Sequence, residues 1–382
     1  FHGEAVAELS SDALRSGVGA HLMALLRKEL IRPDRSAFAG DEAFRFRHML
    51  LRDAAYQGIP KQLRAELHER FADWLERKAG ERMAEYEEIL GYHLEQAYRY
   101  RLELGPADEH ARALAERAAE RLAAAGRRAL GRGDAGAGAN LVSRAVSLLA
   151  RNDPNRLALL PELGQALLDT GKLAEAEGVL GEAMDAGDPL VAARALLIQL
   201  YLELSTNPEA TMDDIVREVE RVIPMFERTG DDRGLANAWR QLAWVYLMRC
   251  QASAMQDALE RAATYARRAN DRRLELDSLG WLTFGAFLGP MRPADGIRYC
   301  EAIVERADGQ RRVEGYALMA QAALRAELGA FDEARDLRVG EHAGAEGLDH
   351  QRDRMGDADR VGELDLAAVG ELGGDDVLGD VA

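Results

Sequence analysis

Cysteine is nearly absent. Cys250 and Cys300 are the only two among 382 residues, too few for a disulfide framework or a four-ligand zinc site, and that scarcity points to a reducing compartment. We therefore expect a cytoplasmic protein. Long apolar runs are lacking as well: "PLVAARALLIQLYLEL" is interrupted by Arg194 and Gln199, and "LGWLTFGAFLGPM" is too short to span about 30 Å of hydrocarbon. No membrane crossing is expected. The opening "FHGEAVAEL" has neither the basic nor the apolar segment of a secretory signal. It starts on Phe1 rather than Met, so we expect an N-terminal part to precede it. Basic excess is also missing. The formal net charge is −17, and residues 339–382 hold twelve Asp and Glu against three Arg, which leaves −9 there and −8 in the rest.

The familiar catalytic signatures are missing too. No G-x-x-x-x-G-K-[ST] occurs, so this chain alone has no phosphate cradle of that type; nor is there an H-E-x-x-H or a G-x-S-x-G. His68 in "LHERF" and His93 in "GYHLEQ" lack a second ligand one turn away, and we assign both to packing or surface. Neither cysteine has a nearby partner base. "GRGDAG", Gly131 to Gly136, satisfies G-x-G-x-x-G, but it follows a helical pattern where a dinucleotide loop must follow a strand, so it reads as an inter-helix turn. We expect no catalysis, metal or cofactor from this chain by itself.

What is present is helical periodicity. "VGAHLMALLRKELI" repeats apolar residues at Leu22, Leu25, Leu26 and Leu30. The period then changes: Phe44 and Phe46 alternate with Arg45 and Arg47, after turn residues Pro33, Asp34, Gly40 and Asp41, which predicts a β-hairpin. Helix, hairpin and a further helix from Met49 are the parts of a small winged-helix module, ending at Pro60. Its use on DNA is disfavoured because residues 1–58 contain eight basic and eight acidic side chains, which cancel. "KQLRAELHERFADWLERK" then aligns Leu63, Leu67, Phe71, Trp74 and Leu75 on one face, with Glu66 and Arg70 as an i,i+4 pair opposite. Tyr86, Tyr92, Tyr98 and Tyr100 lie in an acidic stretch and are assigned to helix packing. Further on, helices of about fifteen residues come in pairs. Gly126 and Gly164 are 38 residues apart at matching places in two such pairs, and Ala322 to Leu337 repeats the pattern. A single helical hairpin exposes an apolar face that only the next can cover, so the pairs must stack. After Arg338 the periodicity collapses to Gly, Asp, Val and Glu. Two readings stand for that tail: a disordered acidic segment, or a repeat interrupted by translation out of frame.

"FRFRHMLLRDAAYQGIPKQLRAELHERFADWLE", "EILGYHLEQAYRYRLELGP" and "ALAERAAERLAAAGRRAL" together resemble the region following the nucleotide-binding domain in bacterial signal-transduction ATPases of the STAND type, particularly those fused to adenylate or guanylate cyclase domains. The resemblance spans residues 1–337 and is densest over Val18 to Leu130. It implies an all-α fold: a right-handed α-solenoid of tetratricopeptide-like helical hairpins, preceded by a winged helix with a β-hairpin. The expected divisions are a winged-helix module at 1–60, linker helices at 61–105, repeats at 106–337 and the atypical tail at 338–382. The resemblance also implies that His48, at the strand-to-helix junction, faces the phosphates of ADP bound by the missing ATPase domain, which would hold ATP or ADP with Mg. Arg47 and Met49 stand where relatives carry methionine and aspartate. The other role open to His48 is capping or packing of the junction. The repeats are expected to bind a partner protein or the chain's own ATPase domain, and not nucleic acid. The alternative is a freestanding winged-helix transcriptional regulator with a repeat sensor.

Overall fold

In a computed structural model, residues 1–38, 40–206 and 211–337 are described; the two readings of the tail fall outside them. The chain divides into two units, one of residues 1–128 with 137–156, the other of 129–136 with the described residues from 157 onward.

The first unit opens with α1 (Gly3–Leu9), α2 (Asp12–Arg15), α3 (Val18–Arg27), β1 (Ile31–Asp34), β2 (Ala43–Phe46) and α4 (Met49–Gly58). The strands pair antiparallel, with Ile31 opposite Phe46 and Pro33 opposite Phe44. Phe44 and Phe46 are buried while Arg45 and Arg47 are exposed, because successive strand side chains leave on opposite faces. The two Phe close an apolar cluster with Phe1, Val6, Val18, Leu22 and Ile31. The backbone ties Phe1 into it: the Phe44 N–H donates to the Phe1 carbonyl at 2.7 Å.

Next come α5 (Lys61–Ala79), α6 (Met83–Leu104), α7 (Glu109–Gly131) and α8 (Ala135–Leu148). Leu67, Phe71, Trp74 and Leu75 are buried as their spacing predicts, but Leu63 is 40% exposed. Ala65 and His68 take the inward positions of that first turn and a half instead. The expected Glu66–Arg70 pair does not form. Gln62 donates to Glu66 at 3.2 Å, and the Arg70 guanidinium donates to the Glu8 carbonyl at 2.6 Å. A tertiary acceptor displaces the local pair because an exposed i,i+4 pair is worth only about 0.3–0.5 kcal/mol. Ion pairs between helices are more numerous: Arg117 reaches Asp73 and Glu76 on α5 at 2.8 and 3.0 Å, and Arg144 on α8 reaches Glu95 on α6 at 2.5 Å.

Between α5 and α6 lies a polar cluster. His68 and His93 are both fully buried, and their Nδ1 atoms are 2.9 Å apart. The Tyr56 hydroxyl lies 2.8 Å from His68 Nε2 and 3.0 Å from the Tyr100 hydroxyl. Burial, then His93, then Arg64 hold the His68 pKa well below its ordinary 6.5. Unfolded, His68 takes up a proton as pH falls through that ordinary value; folded, it resists until lower pH. The unfolded state therefore binds more protons below about pH 6.5, and stability drops there by up to about 1.4 kcal/mol per pH unit. We expect the urea midpoint to fall between about pH 6.5 and pH 5 and His68→Gln to flatten that slope; equal slopes in both proteins would refute it.

The second unit is built of paired antiparallel helices, tetratricopeptide-like in pattern. They are α9 (Pro154–Asp169, in this unit from Leu157) with α10 (Leu173–Met184), α11 (Pro189–Thr206) with α12 (Met212–Thr229), α13 (Asp232–Met248) with α14 (Ala252–Arg268), and α15 (Arg272–Leu288) with α16 (Pro293–Arg306). Then follow α17 (Arg311–Glu327) and a helical segment at 331–337. Apolar faces are shared between neighbouring pairs. Ala193, Leu197 and Leu200 of α11 meet Val219 and Phe226 of α12 and Leu235 and Leu242 of α13. The corners between pairs are locally coded: Gly230 and Asn270 adopt left-handed φ of 66° and 53°, where glycine and asparagine carry little penalty. The next residue caps the following helix, Asp231 accepting from the Gly234 N–H and Asp271 from the Leu274 N–H, each at 3.0 Å.

Candidate functional site

A groove of about 500 Å³ runs along the second unit. Its walls come from α9, α11, α13, α15 and α17, the first helix of each pair, and residues of the turn before α8 line it as well. That turn is "GRGDAG". As its sequence predicts, it joins two helices, with Gly133 at φ 87°. Stacked pairs place every first helix on the same side, so one position per pair recurs along that side.

The recurrence is visible in charge. Arg194, Arg233, Arg273 and Arg312 follow one another at intervals of 39, 40 and 39 residues. Arg194 donates to Asp231, the cap of the next first helix, at 2.7 Å. Arg233 does the same to Asp271 at 3.0 Å and also reaches back to Glu162 at 2.6 Å. Within the groove, Arg273 lies 3.9 Å from Asp169 and 3.6 Å from Asp277, and Arg312 lies 3.0 Å from Asp277. The two carboxylates lining the groove are thus engaged by these two arginines. Aromatic rings run beside them: Tyr201–Trp244, Trp244–Trp281 and Trp281–Tyr316, with centroids 6.3, 6.1 and 6.4 Å apart. Tyr201 and Trp281 face the groove.

Arg240 belongs to the groove but not to the charge ladder. Its Nε is buried without a hydrogen-bond partner, and no described residue forms an ion pair with it. Burial, followed by repulsion from Arg273, pulls its pKa below the ordinary arginine value, against attraction from Asp277 and Asp169. A guanidinium nevertheless stays protonated.

His48, the residue singled out from the sequence, lies in the first unit at the N-cap of α4. Its carbonyl accepts the Leu51 N–H at 3.1 Å, its side chain makes no capping bond, and it is exposed. Met49 and Leu50 beside it are 57% and 80% exposed. Cys300 is fully buried, and burial pushes its thiol up to about 11, away from nucleophilic use. Among the described residues, no group of three or more His, Cys, Asp or Glu side chains could hold a metal ion, and no helix is long and apolar enough to cross a membrane. The 39–40-residue arginine interval is a signal present in the sequence itself. The pairing of His68 with His93 carried no such signal, since the two lie 25 residues apart on different helices.

No family model matches the chain, and no curated protein matches it. Among solved structures, it is similar to a signal transduction ATPase with numerous domains carrying a tetratricopeptide repeat sensor, from Pyrococcus horikoshii, at 13% identity and a TM-score of 0.32, over 86% of this chain and 59% of that one. This chain therefore spans less than two thirds of that protein's length. It is also similar to a putative kinesin light chain with nearly identical repeats of tetratricopeptide type, from Podospora anserina, at 16% identity and a TM-score of 0.27, over 64% of this chain and 100% of that one. A circular tandem repeat protein is similar at 15% identity and a TM-score of 0.21, over 93% and 97%. At such scores these likenesses establish no shared fold, and the architecture rests on the paired helices themselves.

Proposed function

We propose that this chain is a non-catalytic regulatory region of a multidomain signalling ATPase, in which the repeats dock a partner protein or the ATPase domain. The supporting observation is the groove: one face of five successive first helices, lined by Arg240, Arg273 and Arg312 and by the rings of Tyr201 and Trp281, is open in the second unit. Arginine and aromatic side chains are the types that dominate binding energy at protein interfaces. The winged-helix module at 1–60, the linker helices at 61–105 and the repeats at 106–337 are the parts of that design, the ATP or ADP with Mg belonging to the domain upstream. The exposed run His48, Met49 and Leu50 favours the same reading, because two large apolar residues left uncovered beside a histidine suit a surface that another domain covers.

The test is to restore an upstream P-loop domain and measure ADP binding. A hydrogen bond from the His48 imidazole to a phosphate is worth at least about 1.5 kcal/mol, so His48→Ala is expected to weaken ADP binding about tenfold or more. ADP affinity equal to that of the unsubstituted protein would remove His48 from this role. Failure of the restored protein to bind any nucleotide would remove the ATPase assignment.

A further inference from the structure

The repeat itself shows that the charge of Arg240 is not required by packing. Seven residues after each arginine of the ladder stand Tyr201, Arg240, Gly280 and Met319. The position tolerates a ring, nothing at all, or a thioether, so a guanidinium there has to be explained by what it meets. Its Nε meets no described acceptor. Next to it, Gln241 is buried, and its Nε2 likewise has no hydrogen-bond partner. Both residues line a slot of about 40 Å³ that opens beside the groove and is otherwise apolar, walled by Trp244, Leu247, Met255 and Leu259. Buried donors without acceptors are rare, because each forfeits its bonds to water. Two residues that carry such donors line one small slot, and one of them is cationic, a pairing that suits an anionic acceptor.

From this we infer that the groove binds a small organic carboxylate, its carboxylate seated in the slot between Arg240 and Gln241 and its flat apolar body lying against Tyr201 and Trp281. Size selects the head group. A water needs roughly 10–15 Å³ of such volume, so the slot takes about three heavy atoms, which suits a planar carboxylate and not a tetrahedral phosphate. Size also selects a small molecule for the body, since the adjoining groove falls in the roughly 300–1,000 Å³ range of ligand pockets. Arginine presents its N–H groups in the fork that a carboxylate matches. The inference deepens the docking role proposed above by naming a ligand of the same groove, and it does not depend on the ATPase assignment.

The experiment uses the full chain, with indole-3-acetate, its neutral amide and indolyl phosphate as probes at millimolar concentration, read by calorimetry and by tryptophan fluorescence. Indole-3-acetate is expected to bind about tenfold or more tightly than the amide, with Arg240→Met abolishing the difference and Gln241→Leu reducing it. Arg240→Met is also expected to unfold at the same temperature as the parent or higher, because it removes a buried charge that has no partner; that result separates lost binding from lost folding. Carboxylate and amide binding equally, or Arg240→Met retaining the preference, would overturn the site. Indolyl phosphate binding as tightly as the carboxylate would overturn the choice of head group. Failure here leaves nucleotide binding by the restored ATPase untouched, so the two proposals fail separately.

Discussion

Arg144→Met is expected to destabilise the first unit by about 3 kcal/mol, and Glu95→Gln by distinctly less. The asymmetry follows from where the burial lies. Glu95 is 1% exposed, whereas Arg144 and Arg99, which bond its two carboxylate oxygens at 2.5 and 2.6 Å, have side chains 25% and 55% exposed. Removing Arg144 leaves a buried carboxylate paired only with an arginine that solvent also reaches. Removing the carboxylate's charge leaves two arginines that can turn to water. Urea unfolding of the two single variants and the double variant checks this, since the double should recover much of what Arg144→Met loses. Equal losses in the two single variants would show that burial of Glu95 does not set the balance.

The second large effect concerns two glycines of one helical pair. A Cβ on Gly164 in α9 would stand 2.5 Å from Leu180 Cδ2 and 2.7 Å from its Cγ, while one on Gly178 in α10 would meet nothing within 4 Å. Both glycines lie inside helices, where alanine is intrinsically better by about 1 kcal/mol. Gly178→Ala should therefore stabilise by about 0.5–1 kcal/mol. At Gly164 the same substitution forces α9 and α10 apart, and crowding of that kind costs about 1–3 kcal/mol, so Gly164→Ala should be net destabilising and Gly164→Val should lose about 3 kcal/mol. Opposite signs for the two alanine variants, read from thermal and urea midpoints, are the expected result. A stabilising Gly164→Ala would mean that Leu180 yields freely.

These glycines show what a single sequence discloses. Gly126 and Gly164 were visible as a 38-residue interval, and the interval gave the helical pairs correctly. Each sits against a residue of the partner helix, Val142 for Gly126 and Leu180 for Gly164, a cause that no single helix's pattern contains. Phe44 and Phe46 were legible because strand alternation is local. Leu63 was not, because which of two adjacent stripes turns inward depends on the helices packed against α5. Glu66 and Arg70 had the right spacing and the wrong outcome, since Glu8 supplies a carbonyl from 62 residues away. The groove follows the same division. The arginine ladder is periodic and could be read from the sequence, whereas the unpartnered state of Arg240 appears only once neighbouring helices fix which acceptors lie within reach.

Arg233 bonds Asp271 at the head of the following pair and Glu162 in α9, two pairs back. In an ideal linear array each repeat touches only its neighbours and can fray from an end one block at a time. Here one guanidinium fastens across the α11–α12 pair, so that pair cannot peel away alone; opening it means releasing both clasps together. Melting along this stretch should therefore advance in steps of several pairs, and a disturbance at Asp271 should be felt at Glu162 without passing through the helices between them.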